Sequence, residues 1–149
     1  MPSQKGPARI GSRMADASPQ TENSRLIASL YDAFGRGDIP FVLDQFAPDI
    51  EWIETESPDV PTHGTSRTPQ EVLDNVFMKL PESFGSFEVQ PDRWIESADD
   101  VVVTGRIVAR TTGGHDLNAP FAHVFTVLDG KVARNDLFND TALWASALA

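Results

Sequence analysis

The sequence contains no cysteine among its 149 residues. Without a thiol, the chain cannot form disulfides, zinc–thiolate sites or iron–sulfur clusters, and it cannot use a cysteine nucleophile. The lack of cysteine also fits the reducing cytoplasm, and we predict a cytoplasmic location.

Basic residues are scarce as well. Twelve Lys and Arg stand against 22 Asp and Glu, so the formal net charge is −10 and the isoelectric point is near 4.5. Because such a surface repels a phosphate backbone, we predict no nucleic-acid partner. Long apolar runs are missing too: no segment approaches the roughly 18 apolar residues of a membrane span, and the N-terminus lacks the apolar centre of a signal peptide. We therefore expect a soluble protein that is neither secreted nor membrane-bound.

The first 20 residues differ in composition from the rest of the chain. They combine Pro, Gly, Ser and basic residues with almost nothing to bury, which predicts a disordered extension over residues 1–20. Apolar residues make up 40% of the sequence, enough for one core. Residues 21–149 are therefore predicted to form a single domain.

Apolar periodicity and turn residues predict helices first and strands afterwards. A second helix is expected to bury Phe46 and to be closed by Pro48, and a third helix is expected to end at Pro81. Short turns separate the last four strands, so neighbouring strands should pair antiparallel. The predicted order is helix 21–37, helix 38–48, strand 49–54, helix 68–80, strands 87–97, 101–110, 117–128 and 131–138, and a final helical segment 141–148. This is an α+β fold in which a curved sheet wraps around helices and leaves a cone-shaped cavity.

One acidic residue shares a strand face with apolar neighbours. Alternation places Ile50, Trp52 and Glu54 on the same side of the first strand, toward the core. A carboxyl group in an apolar pocket has a raised pKa and can move a proton at neutral pH. Glu54 is therefore the candidate general base, and the alternative is a solvated glutamate at the rim.

Four segments of the sequence resemble the nuclear transport factor 2-like superfamily, in its SnoaL-like and ketosteroid isomerase-like branches. They are LYDAFGRGDIPFVLDQFAPDIEW, HGTSRTPQEV, PFAHVFTVLDGKV and NDTALW, and the resemblance spans residues 21–144. It implies three N-terminal helices packed in a strongly curved, mostly antiparallel sheet that forms a cone-shaped pocket. Because the superfamily includes both enzymes and noncatalytic binding proteins, the resemblance alone does not imply one activity.

The resemblance also implies roles for individual residues. Tyr31 falls on the tyrosine that hydrogen-bonds the developing enolate in ketosteroid isomerases, and Glu54 falls on their general base. Ala122, just before His123, stands where those enzymes carry a protonated aspartate as second donor; losing one such donor costs about 3 to 4 kcal/mol, which argues against efficient steroid isomerisation. The aspartate base of SnoaL-like cyclases corresponds to Leu137, beside Asp136.

Other side chains are candidates for the pocket wall or for acid–base chemistry. His123 can face the cavity or remain a neutral histidine in the sheet, and Tyr31 can donate in the cavity or bond a backbone carbonyl. The three histidines lack metal-ligand spacing, and no phosphate-binding loop occurs, so we predict neither metal nor cofactor. The predicted catalytic residues are Glu54, Tyr31 and His123, and the predicted pocket residues are Phe46, Trp52, His63, Ala122, Asn135, Leu137 and Asn139.

These observations lead to two functional hypotheses. The first is a cofactor-independent acid–base isomerase or cyclase acting on a small hydrophobic carbonyl compound. The alternative is a noncatalytic module that binds a hydrophobic ligand or assembles subunits on the same scaffold. Under both hypotheses, the resemblance implies a homodimer that pairs through open sheet faces.

Overall fold

The computed structural model describes residues 19–149, so the predicted disordered extension lies outside it except for Pro19 and Gln20. The fold is α+β, as predicted, with a curved six-stranded sheet and helices on its concave side. The elements, in chain order, are α1 (Glu22–Gly35), α2 (Ile39–Asp44), β1 (Phe46–Glu54), β2 (Gly64–Ser66), α3 (Pro69–Val72), the π-helix π1 (Leu73–Phe77), α4 (Leu80–Ser83), β3 (Phe84–Ser97), β4 (Asp100–Thr111), β5 (Asp116–Leu128), β6 (Lys131–Asn139) and α5 (Thr141–Leu148).

The strand order in the sheet is β2-β1-β6-β5-β4-β3. Strands β3 to β6 form the antiparallel meander that their short turns predicted. Strand β1 pairs parallel to β6, which the sequence did not predict. This pairing places the first long strand beside the last one, so that residues far apart in sequence meet in the middle of the sheet.

The first two helices begin and end at the residues that local chemistry favours. The Thr21 hydroxyl accepts from the Ser24 N–H at 3.2 Å, and the Asp38 carboxylate accepts from the Phe41 N–H at 3.3 Å. Helix α1 ends at Gly35, and Gly37 follows with φ of +76°, a conformation that glycine adopts without strain. No helix within residues 19–149 is long and apolar enough to cross a membrane.

Two predicted helix boundaries were wrong. Helix α2 ends at Asp44, and both Phe46 and Pro48 belong to β1, because pairing with β6 starts at Phe46 opposite Val132. Pro48 lies where the register between the two strands is irregular, a position that tolerates a residue without an N–H donor. Pro81 does not end the third helix but sits in the first turn of α4, where proline costs no helical hydrogen bond.

Alternate residues of the strands face the helices, and we call this side the inner face; it carries Val103 of β4, Phe125 of β5 and Leu137 of β6. In β6 the register shifts by one residue: Thr126 pairs with Arg134, whereas Val127 pairs with Val132. Such a bulge lets residues three apart point the same way. Val132 and Asn135 are consequently both buried.

Candidate functional site

A cavity of about 80 Å³ lies between the helices and the inner face of the sheet. It is smaller than the cavity of about 150 Å³ that holds benzene in an engineered protein, so a ligand with a ring would extend from the cavity through its mouth. Phe34, Phe77, Phe87 and Val89 line it but remain partly exposed, which places the mouth of the cavity at these residues. The wall is mainly apolar, and its polar residues are Tyr31, Glu54, Thr62, His123, Asn135 and Asn139.

Glu54 ends strand β1 inside this cavity, with 4% of its surface exposed. The indole N–H of Trp52, two residues earlier on the same face, donates to Glu54 Oε2 at 2.6 Å. Burial raises the pKa of Glu54 from 4.5 to about 7, although hydrogen bonds from Trp52 and Thr62 lower it in part. The carboxyl group therefore takes up and releases protons near neutral pH.

Tyr31 and His123 form the second polar group of the cavity. The Tyr31 hydroxyl lies 2.7 Å from His123 Nδ1, and the two rings are nearly parallel with centroids 5.9 Å apart. Burial raises the pKa of Tyr31 well above its usual value and lowers the pKa of His123 to about 3, so both side chains stay neutral at physiological pH. A phenol is the stronger donor and an imidazole nitrogen the stronger acceptor, so the hydroxyl donates to Nδ1 and the ring proton lies on Nε2.

The sheet register brings Glu54 and His123 to the same row of side chains. His123 of β5 pairs with Leu137 of β6, and the pairing of Ile53 with Asp136 places Glu54 beside Leu137 on the other side. Two strand spacings separate the Cα atoms of Glu54 and His123, about 10 Å on a flat sheet. Both side chains line the same cavity, with Leu137 between them.

The structure places most of the predicted pocket residues in the cavity wall. The wall includes Phe46, Trp52, Asn135, Leu137 and Asn139. Asp136, at the position next to the cyclase base, faces the other side of the sheet and binds Arg134 with a separation of 3.0 Å. Its carboxylate is thus not available to the cavity.

Two predicted pocket residues lie outside the cavity. Ala122 pairs between Thr104 and Phe138 on the outer face, because the inner positions of β5 are the odd-numbered ones. The missing acid at position 122 therefore says nothing about the donors in the cavity. His63 is exposed, with Nδ1 2.8 Å from the Val60 carbonyl, and its neighbour Thr62 lines the cavity instead.

Sequence reasoning missed several wall residues. Thr62 lies in a segment without periodicity, so no pattern could assign its direction. Trp144 of α5 also lines the cavity, and it packs at right angles to Phe84. Its position depends on how α5 folds back on the sheet, which the local sequence does not encode.

Some polar atoms of the wall make no hydrogen bond within residues 19–149. They are both amide atoms of Asn135, the Oδ1 atom of Asn139 and the Nε1 atom of Trp144. In the same residues, no group of three or more acidic or histidine side chains is placed to hold a metal ion. The chemistry available to the cavity from its own side chains is therefore proton transfer and hydrogen bonding.

Solved structures with the same fold include three that are 26 to 30% identical to this chain. A nuclear transport factor 2-like protein of unknown function from Burkholderia pseudomallei is 26% identical with a TM-score of 0.82, and the alignment covers 87% of this chain and 99% of that one. A nuclear transport factor 2-like protein from Burkholderia thailandensis is 30% identical with a TM-score of 0.79, covering 87% and 98%. TerC, co-crystallized with polyporic acid, is 27% identical with a TM-score of 0.80, covering 86% and 98%.

The comparison with curated proteins finds no match. The family profile of the SnoaL-like domain, in contrast, matches residues 27–135, which is more than half of the chain. The chain therefore belongs to the SnoaL-like domain family, within the nuclear transport factor 2-like superfamily.

Proposed function

We propose that the protein is a cofactor-independent acid–base enzyme, an isomerase or cyclase that acts on a small hydrophobic carbonyl compound. The observation that carries this proposal is the buried carboxyl group of Glu54, whose pKa of about 7 suits proton transfer at neutral pH. The apolar wall around it favours a hydrophobic ligand. TerC, a related protein co-crystallized with polyporic acid, supports an organic ligand for this scaffold.

The reaction begins with removal of a proton from the carbon next to the ligand carbonyl. Glu54 takes this proton, and the electron pair of the C–H bond moves to give an enolate whose charge lies mainly on oxygen. His123 donates its Nε2 proton as a hydrogen bond to that oxygen, since Nε2 has no partner within residues 19–149. If the ligand carries a conjugated double bond, Glu54 then returns the proton to the far carbon of the dienolate, which is isomerisation. Alternatively, the enolate carbon attacks a second carbonyl and the resulting alkoxide takes the proton from Glu54, which is an aldol-type cyclisation.

The proposal is tested by α-proton exchange in D₂O, followed by NMR on small ketones such as acetophenone and cyclohexanone. We expect the protein to accelerate exchange, with a rate that rises as pH increases through about 7 and then levels, because only ionised Glu54 is a base. Because the pKa of His123 is about 3, this residue should not add a second inflection to the pH–rate profile near neutral pH. A pH–rate profile centred near the usual glutamate pKa would show that the base is exposed to solvent. If ketones bind but their proton exchange is not accelerated, the noncatalytic alternative is favoured.

Tyr31 acts in this proposal as a positioning residue that holds the tautomer of His123. Replacement by Phe removes the hydroxyl bound to Nδ1, and we expect the exchange rate to fall about tenfold, with a smaller change in KM. The ¹⁵N spectrum of His123 should show the proton on Nε2 in the native protein and a mixture of tautomers in the Tyr31→Phe variant. Unchanged rate and spectrum would assign Tyr31 to packing alone.

A homodimer is also part of the proposal. The outer face of the sheet exposes Ile95 at 42% and Phe138 at 57% of their surface, and a second copy packed on this face would bury both side chains. We expect a second copy to cover this face. Sedimentation that finds only monomer at micromolar concentration would contradict this part.

A further inference from the structure

We infer that Asn135 is a second anchor of the cavity, which binds a hydroxyl group of the ligand, so that the substrate is a hydroxylated carbonyl compound. The inference rests on the proposed function for the carbonyl end of the ligand. It adds a contact and a substrate class that the acid–base chemistry does not require.

The side chain of Asn135 is fully buried, with none of its surface exposed, and it lines the cavity. Neither Nδ2 nor Oδ1 has a hydrogen-bond partner within residues 19–149. Buried amide groups in folded proteins are almost always paired, because an unpaired one loses its hydration without compensation. A residue that breaks this rule inside a cavity is a candidate for ligand recognition.

The two sheet neighbours of Asn135 do not satisfy its amide. In the sheet it lies between Trp52 of β1 and Phe125 of β5. The indole N–H of Trp52 is already used by Glu54, and Phe125 has no polar atom. Glu54 and Tyr31, in contrast, each have a protein partner. Among residues 19–149, Asn139 and Trp144 each leave one polar atom unpaired in this wall, whereas Asn135 leaves both a donor and an acceptor.

The bulge in β6 turns this amide inward. Because the register shifts between Val132 and Arg134, Asn135 faces the cavity together with Leu137. The amide is therefore built into the sheet rather than carried on a loop, which limits its movement.

The spacing of the two anchors suits a ligand with one ring. Along β6, Asn135 is two residues from Leu137, about 7 Å, and Leu137 separates Glu54 from His123. A ring that places its carbonyl over Leu137 can therefore carry a polar group to Asn135. A hydroxyl fits best, because it can donate to Oδ1 or accept from Nδ2, whereas a carbonyl can only accept.

The test compares the dissociation constants of acetophenone, 3-hydroxyacetophenone and 4-hydroxyacetophenone by titration calorimetry. The native protein should bind the better hydroxylated ketone about tenfold more tightly than acetophenone, the ratio expected for one added hydrogen bond. The Asn135→Leu variant, with nearly the same shape, should lose this preference, and Asn135→Ala should lose it as well if the Leu variant fails to fold. Asn118→Leu, the same change at an exposed position on the outer face of β5, should keep it.

Each result decides the inference. Equal affinity of the native protein for the three ketones, including no measurable binding, would overturn it. A preference that survives in both Asn135 variants, or that disappears in Asn118→Leu, would overturn it as well. The Glu54→Gln variant separates this inference from the proposed reaction. If that variant keeps the hydroxyl preference and the native protein shows no proton exchange, Asn135 remains a ligand anchor and the acid–base reaction is wrong.

Discussion

Replacing Glu54 with Gln is expected to lower the rate of α-proton exchange by about two to four orders of magnitude, the usual contribution of a positioned general base. Gln has the same shape, and its amide oxygen can still accept from the Trp52 indole that now bonds Oε2. It cannot take a proton from carbon near neutral pH. The measurement is the NMR exchange assay with native and variant protein at equal concentration, over a range of ketone concentrations.

Glu51→Gln is the matched control for this experiment. Glu51 lies on the same strand, but 40% of its side chain is exposed and it binds Arg67 and Arg134 at 3.0 Å each. Surface ion pairs of this kind contribute little to stability, so the control should keep the exchange rate and the fold. A Glu54→Gln variant within threefold of the native rate would exclude Glu54 as the base, whereas equal losses in both variants would point to an effect of net charge.

The same substitution is expected to make the protein more stable at about pH 8, by about 3 kcal/mol of unfolding free energy. Burial raises the pKa of Glu54 from 4.5 to about 7, so the folded state holds its proton more tightly than the unfolded chain does. The contribution of this proton to stability is complete below about pH 4.5 and is lost as the pH rises to about 7. Above that pH the folded protein carries a buried charge, which the Gln variant avoids.

Urea unfolding of the native protein and of Glu54→Gln at several pH values measures this effect. The difference in unfolding free energy should be small at about pH 4 and grow to its full size by about pH 8. Taking differences between the two proteins cancels the effect of the other 21 acidic residues, which are common to both. A difference that is constant with pH would show that the Glu54 pKa is the same in both states, and the site would lose its base.

Taken together, the two results would show how much stability the protein loses by keeping the buried carboxyl group of Glu54. A residue that lowers stability at the working pH is retained because the activity needs it, which is the usual relation between stability and function at active sites. Glu54→Gln should therefore be the more stable and the less active protein. A variant that lost both stability and activity would indicate a structural role for the carboxyl group.

Much of the site could be predicted from the residues of β1. Alternation of Ile50, Trp52 and Glu54 placed the carboxyl group toward the core, and the structure shows it there at 4% exposure. The hydrogen bond from Trp52 follows from the same alternation, because residues two apart on a strand share a face. These are local properties, and a side-chain period of two is enough to determine them.

Positions that depend on register were predicted less well. Ala122 was assigned to the pocket, but the structure places it on the outer face. His123, predicted as catalytic with a neutral histidine in the sheet as the alternative, lies in the cavity. A shift of one residue in the alignment moves every side chain of a strand to the opposite face of the sheet. A resemblance between sequences does not exclude such a shift. The parallel pairing of β1 with β6 was not predicted at all, because the local sequence of a strand does not indicate which distant strand it will pair with.

The amino-acid sequence by itself determined the order of the long elements, the caps of the first two helices, the antiparallel meander and the inward direction of Glu54, because each depends on contacts between residues close in the chain. It did not predict the short strand β2 or the division of the third helix into α3, π1 and α4. The tertiary structure alone decided that Tyr31 holds His123, that Leu137 separates His123 from Glu54, and that the β6 bulge turns Asn135 into the cavity. The first of these relations joins residues 92 positions apart, and the second joins Glu54 and Leu137, which are 83 positions apart (137 − 54). Only the packing of α1 and β1 against the end of the meander brings them within reach.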